Sequence, residues 1–396
     1  MEPTTIFWLI LITIWLLFIW DFYMGWRQYR VHRDNVKRPD HVSEIITEEE
    51  YNKARAYKLD KHLYGFVTHT WSHLQTNAVL LLGLLPFFWS ISGNISEKIY
   101  GKSEIFQSIV FASLTSIIET LIGIPFELFD TFVIEEKHGF NKQTLGFFIK
   151  DHIKKVVVSL VIMTPIVAGS KRSAHSNAYM YGFWKNKRIV LFDTLLSEEM
   201  RDEVKKLIEA EKAEKAKDQK PEEETINKEA TEKKSEEENT KEHKKLGMND
   251  DEVVAVLGHE LGHWKLWHTV SNLIISEANL LFLLYIFAYF YRQKSLYLAF
   301  GFNTQPTLIG LVIVFQMITA PYNELVSFLA TIMSRKMEFA ADRFSAELGY
   351  AKLLCSALVK LGKDNLSLPI DDPLYSMVHH SHPPIPERMA AMKKYI

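Results

Sequence analysis

The sequence predicts a mostly α-helical, multi-pass membrane fold with a metal-binding helix in its C-terminal half. Three observations predict it. Several apolar stretches approach or exceed the ~20 helical residues that a bilayer crossing requires. Aromatics make up 13% of the chain, and nine tryptophans suit anchors at membrane interfaces. The run Gly258-His259-Glu260-Leu261-Gly262-His263-Trp264 puts two histidines four residues apart, on one face of a helix.

The first apolar stretch is Ile6 to Trp20, which lacks a basic leader and a small-residue cleavage site and reads as a retained anchor. The second spans about Asn77 to Ile91 and the third Ile105 to about Val133. A fourth, Val156 to Ala168, has 13 residues and makes a helix only ~20 Å long, too short for a ~30 Å hydrocarbon core. It is expected to be re-entrant or packed against other helices. Val270 to Tyr291 and Thr307 to Met333 complete the set. A buried helix of a large soluble core is the alternative for any one stretch; it accounts poorly for all of them.

Between the halves, Glu209 to Lys245 is dense in Glu and Lys with almost no large apolar residues, and is expected to be a disordered loop. The loop after the first stretch carries Arg27, Arg30, Arg33, Lys37 and Arg38, and the loop after the third carries Lys137, Lys142 and Lys150. Both should face the cytosol, which leaves the N-terminus lumenal and the histidine helix cytosolic. The sequon Asn94-Ile95-Ser96 then falls in a short lumenal loop, too near the membrane to be glycosylated. A net charge of −2 speaks against a nucleic-acid partner. A single cysteine, Cys355, excludes an internal disulfide framework.

The histidine helix should begin near Asp251 and Glu252, with Val253, Val256, Leu257, Leu261 and Trp264 as its apolar stripe. In a zinc hydrolase both imidazoles hold the metal and the adjacent carboxylate, here Glu260, activates water. An ordinary amphipathic helix with two histidines is the alternative. The third ligand is not the histidine at i+6 used by one protease class, because Leu266 and Thr269 stand at the positions that class requires. His268 is off that register and reads as a surface or packing residue. Glu338 and Asp342, four apart on a later helix, offer a carboxylate ligand and a partner that orients a ligating imidazole. A solvated acidic face beside Arg335, Lys336 and Arg343 is the alternative.

Glu119, Glu127 and Asp130 lie in or near the third stretch, Glu277 in the next long one, and Tyr322, Asn323 and Glu324 in the last. Ionisable groups in lipid usually face water or a protein partner, so Glu119, Glu127, Glu277, Tyr322 and Glu324 are candidate linings of a wet interior. Helix-to-helix pairing is the alternative. Two β-prone runs around Gly182 to Asn186 read as a hairpin. Asn177, Ala178 and Tyr179 on its edge could hold a substrate as an added strand. A small structural hairpin is the alternative.

The chain resembles the type I CAAX prenyl protease family. The resemblance rests on GHELGHW at 258–264, Glu338 to Asp342, SAHSNAYMYG at 173–182, EEKHGFNKQTLGFF at 135–148, QPTLIG at 305–310, PYNE at 321–324, and SHPP at 381–384 with Arg388. It implies a helical membrane barrel or chamber with a gluzincin-like zinc protease domain and a small β-hairpin. It implies one Zn²⁺ on His259, His263 and Glu338, with Glu260 as general base and His382 and Arg388 lining the site. It implies a metalloendopeptidase that removes the last three residues of farnesylated or geranylgeranylated CAAX proteins, with a second upstream cut in certain farnesylated precursors. It further implies residence in membrane lipid, in the endoplasmic reticulum, with the inner nuclear membrane as a second location. An impaired variant that only binds its partners, or a prenyl-independent quality-control protease, is the competing reading.

The resemblance departs at one place. Pro165 to Ala168 runs almost directly into Ser170, so the family's fifth span and the segment after it are expected to be missing. The expected organisation is a membrane half over 1–169, a hairpin over 170–200, a charged loop over 201–250 and the zinc helix over 251–268. C-terminal spans over 269–334 and a third-ligand and cytosolic part over 335–396 complete it. A glycosylation-site scan should find residues 210–245 unmodified; modification there would place the loop in the lumen and overturn this orientation.

Overall fold

The computed structural model describes residues 1–162, 178–181, 188–191, 247–365 and 367–396. Helix α1, Pro3–Asp34, starts with proline in its first turn, where the missing N–H costs nothing. Helix α2, Glu48–Leu81, opens on a capping box in which Thr47 and Glu50 satisfy each other's backbone donors. Helix α3 covers Leu84–Ile99 and α4 Glu104–Phe129, the latter running into a π-helical turn, Asp130–Glu135. Helix α5 spans Leu145–Ile162. Strands β1, Ala178–Tyr181, and β2, Arg188–Leu191, pair antiparallel with Tyr179 opposite Val190.

Three helices among the described residues are long and apolar enough to cross a membrane: Pro3–Asp34, Glu104–Glu135 and His268–Phe290 (α7). Two expected spans are corrected. The stretch Asn77 to Ile91 is not one straight helix: α2 and α3 meet at a 69° bend. The break falls at Gly83, whose φ of +63° lies in the left-handed region that glycine adopts at no steric cost. The stretch Thr307 to Met333 is likewise broken by 55°. There α9, Thr307–Val312, passes through a π-helical turn over Ile313–Ile318 into α10, Ala320–Ser345, and Pro321 in the first turn of α10 lacks the N–H that would continue the earlier helix. Counting each bent pair as one span gives five. Of the short fourth stretch, 156–162 forms the end of α5 and 163–168 lies outside the described residues, as do Asn177, the hairpin turn and nearly all of the charged loop.

Burial is concentrated at the ends of the assembly. One apolar cluster joins Ile10 and Leu11 of α1 to Leu80, Leu85, Phe111, Tyr297, Ile309 and Ile313. A second joins Tyr51 and Tyr57 of α2 to Ile134, Phe140, Leu368 and Ile370. Between them α1 buries nothing from Ile12 to Tyr23, and α4 buries only Phe111. Such helices suit a lipid solvent and a loosely filled interior. The sequon sits inside α3, with Ser96 buried and its hydroxyl donated to Gly101 O at 3.2 Å.

Helix α6, Asp250–Lys265, carries the two histidines and packs closely along α10. Helices α8 (Lys294–Ala299), α11 (Ala351–Asp364), α12 (Pro373–His379) and α13 (Ile385–Met392) complete the chain. The segment before α12 is tied to the distant N-terminal helix. Arg27 donates to Asp372 at 2.9 Å, Gln28 to Asp371 at 2.6 Å, and His32 Nε2 lies 3.0 Å from Ile370 O. A side chain at position 83 must enter the left-handed region, so Gly83→Val should destabilise the protein by about 1–2 kcal/mol. Thermal unfolding in detergent would show this as a lowered midpoint, and an unchanged midpoint would refute it.

Candidate metal centre

Helix α6 is set by its own sequence. Asn249 caps it and Glu252, the third residue in, reaches back to the Asn249 N–H. Glu252 also accepts from Ser356 at 2.6 Å and Lys360 at 2.7 Å, which pins the start of α6 to α11. The residues before the two histidines are glycines, and they lie where α6 meets α10. A Cβ on Gly258 would come within 2.9 Å of Ser345 Oγ, and one on Gly262 within 3.0 Å of Ala341 Cα. The Ser345 hydroxyl donates to Ala255 O at 2.9 Å across the same seam. Close helix approach therefore depends on both glycines.

That approach brings three ligand atoms together. His259 Nε2 and His263 Nε2 are 3.1 Å apart, His263 Nε2 is 3.3 Å from Glu338 Oε1, and His259 Nε2 is 3.6 Å from Glu338 Oε2. Tetrahedral zinc with bonds of about 2.0–2.1 Å spaces its ligand atoms about 3.3 Å apart, so the set fits that ion. Glu338 Oε2 supplies a second observation. It is buried and accepts no hydrogen bond, although His382 Nδ1 is 3.0 Å and Arg388 Nη1 3.6 Å away. Buried carboxylate oxygens are rarely left so, and a cation is the partner that this convergence of electron-rich atoms lacks.

Glu338, Asp342 and Ser345 are all buried on one face of α10. Asp342 Oδ1 accepts from His259 Nδ1–H at 2.9 Å, which leaves the His259 Nε2 lone pair directed at the ligand set. Asp342 is held in turn by Arg388, which donates Nη2–H to Oδ1 at 2.6 Å and Nε–H to Oδ2 at 2.8 Å. Arg388 is 8% exposed. Burial opposes its charge, but the two hydrogen bonds and the charge of Asp342 hold it firmly protonated. The sequence places Arg388 among the residues lining the site; in the structure its Nε and Nη2 hold Asp342, while Nη1 lies 3.6 Å from Glu338 Oε2.

Glu260 projects beside the ligands, half-buried, and burial pushes its carboxyl above the usual range. His382 leaves 69% of its side chain exposed, and the Glu338 carboxylate raises its affinity for a proton. Arg335, one turn before Glu338, donates to Glu387 at 2.6 Å and to Ser376 Oγ at 3.2 Å, fastening the His382 segment to α10.

The candidate interior residues occupy several helices. Glu119 and Glu277 are exposed on α4 and α7, and Glu127 lies 2.8 Å from His152 Nε2. Tyr322 donates to Asn279 at 2.6 Å, and Glu324, half-buried, has Asp21 and His379 as ionisable neighbours. Of the strand-edge residues, Ala178 pairs with Leu191 and Tyr179 with Val190, while Asn177 lies outside the described residues. Of the two places the sequence offers His268, surface or packing, the structure has the second: it is 8% exposed and its Nδ1 is 2.9 Å from His263 Nδ1. Sequence reasoning missed the role of Gly258 and Gly262, which small residues at a four-residue spacing signal.

Comparison with known proteins places this geometry. A family described as the CAAX prenyl protease N-terminal region, with five membrane helices, matches residues 28–184, and peptidase family M48 matches residues 148–396. The chain is 42% identical to a CAAX prenyl protease 1 homolog of Caenorhabditis elegans, covering 100% of this chain and 99% of that protein. It is 39% identical to a CAAX prenyl protease 1 homolog of Homo sapiens, covering 98% and 95%. The crystal structure of S. mikatae Ste24p shares the fold, with a TM-score of 0.77 at 24% identity and 99% of each chain covered. Gly262→Ala should force α6 and α10 apart, costing about 1–3 kcal/mol and the metal site with it. Full metal uptake by that variant would refute the dependence on close approach.

Proposed function

The chain belongs to peptidase family M48 and to the CAAX prenyl proteases within it, and on that premise we propose that it is a zinc endopeptidase cutting prenylated CAAX proteins at a membrane. The single observation that carries this reading is the convergence of His259, His263 and Glu338 within 4.8 Å, beside Glu260. Zinc, when bound, polarises the scissile carbonyl and acidifies water. His259, His263 and Glu338 are the proposed ligands. Glu260 is the proposed general base: it takes the proton of the attacking water and returns it to the leaving amine. A carboxyl whose proton affinity is raised by burial suits both halves of that transfer. His382 is the proposed donor to the oxyanion that develops on the scissile carbonyl; its exposure beside Glu338 supports that role.

The proposed cleavage removes the last three residues after a farnesylated or geranylgeranylated cysteine, with a second upstream cut in some farnesylated precursors. Ala178 and Tyr179 lie on a short antiparallel pair, which supports a strand edge as the substrate's docking site. Residence in the endoplasmic reticulum membrane, and secondarily the inner nuclear membrane, is part of the proposal. So is the shortened chain: the alignment to the C. elegans relative runs over 469 positions against 396 residues here, leaving 73 positions without a counterpart. The convergence of His259, His263 and Glu338, with Asp342 on His259, supports an active enzyme over a catalytically impaired variant. The names of the relatives do not favour a prenyl-independent protease.

Mass spectrometry of a farnesylated CAAX peptide incubated with detergent-purified protein tests the reading. Loss of three residues is expected, abolished by chelation and restored by zinc. Glu260→Ala should lower kcat by about 10²–10⁴ while zinc stays bound. Equal cleavage of the unprenylated peptide would overturn the substrate assignment, and a fully active Glu260→Ala the catalytic one.

A further inference from the structure

We propose that His268 is a positioning residue of the metal centre: it fixes the tautomer and ring orientation of His263 and so sets the site's affinity for zinc. The inference rests on the ligand assignment above. His263 Nε2 faces the other ligand atoms, 3.1 Å from His259 Nε2 and 3.3 Å from Glu338 Oε1. For that nitrogen to offer its lone pair, the ring proton must sit on Nδ1, and a ligating imidazole normally donates that proton to a fixed acceptor. The atom there is His268 Nδ1, at 2.9 Å. The two rings meet edge to face, at 73° with centroids 5.0 Å apart, and His268 is buried. His268 therefore accepts through Nδ1 and carries its own proton on Nε2.

The backbone is arranged to make this contact. In an unbroken helix, residues five apart point about 140° away from each other. Here α6 ends at Lys265, and Trp267 takes up φ +61°, the one non-glycine residue with positive φ among the described residues. Side chains other than glycine rarely adopt that conformation, and it persists where the surroundings over-determine it. The reversal returns His268, the first residue of α7, to the ring of His263. The two ligating histidines thus have different supports. His259 donates to an anion, Asp342, that is itself clamped by Arg388, whereas His263 donates to a neutral imidazole.

Three substitutions separate orientation from packing. His268→Phe keeps the ring and removes the acceptor. His268→Asn keeps an acceptor near the Nδ1 position, and His268→Asp makes it anionic. Zinc dissociation constants would be measured by chelator competition on full-length protein in detergent, alongside the visible absorption of the Co²⁺-loaded protein and the thermal midpoint of the metal-free form. Zinc binding should be 10–100-fold weaker in His268→Phe, with an altered Co²⁺ spectrum and an unchanged metal-free midpoint. The asparagine variant should stay near wild type, and the aspartate variant should bind at least as tightly. Wild-type affinity in His268→Phe, or equal weakening in Phe and Asn variants, would overturn the proposal. Should His268→Phe fail to fold, near-wild-type affinity in both Asn and Asp variants supports it and a tenfold loss in both overturns it. None of these readouts uses a prenylated substrate. Failure of the wild-type protein to take up zinc would sink the ligand assignment, and this inference with it.

Discussion

The approach of α6 to α10 is the constraint on which the site depends. Each helix holds part of the ligand set, and neither could bind a metal alone. Gly258 and Gly262 leave no side chain at the seam, so Ser345 and Ala341 pack against bare backbone. The helix that delivers Glu338 is also the continuation of a membrane segment broken at Thr319 and Pro321. Its first half continues an apolar run and its second half carries Glu338, Asp342 and Ser345. A shift of that helix by a fraction of an ångström would change both histidine-to-Glu338 distances together, because a close-packed seam has no slack to absorb it.

Around the seam, hydrogen bonds run outward in chains. His259 leads to Asp342, Asp342 to Arg388, and Arg388 sits in α13 near the end of the chain. Arg335 joins the ligand helix to Ser376 and Glu387, and Arg27, Gln28 and His32 join α1 to residues 370–372. The C-terminal segment is therefore a brace between the N-terminal membrane helix and the metal centre, more than a carrier of His382. The Arg388–Asp342 pair is buried on both sides, so losing one partner would leave the other without compensation.

Much of this was legible in the sequence, for physical reasons that differ by element. His259 and His263 lie four apart, and Glu338 and Asp342 likewise, so helical periodicity alone puts each pair on one face. The apolar runs starting near Ile6, Ile105 and Val270 matched helices because length and composition decide bilayer crossing. Two further runs meet the same measure only as bent pairs. Composition does not register the left-handed Gly83 or the π-helical turn before Pro321, and both bend the chain inside an apolar run. The sequence does not decide between a surface and a packing place for His268, for a related reason. Its position depends on the conformation of Trp267, and tryptophan carries no signal for a positive φ. For Glu119, Glu127 and Glu277 the sequence goes no further: a carboxylate in an apolar run announces a cost without naming what relieves it.

The brace between α1 and residues 370–372 has a consequence for biogenesis. Arg27 and Asp372 are 345 positions apart. At ribosomal speeds of about 5–20 residues per second, tens of seconds separate the synthesis of these two partners. Throughout that interval Gln28 and His32, both buried in the finished protein, have each other and His62 but lack Ile370, Asp371 and Asp372. The end of the first helix is thus an early arrival whose polar contacts are completed only when translation is nearly over. Surveillance factors that recognise an unfinished polar surface would have their longest view of this protein there, before any metal site exists to protect.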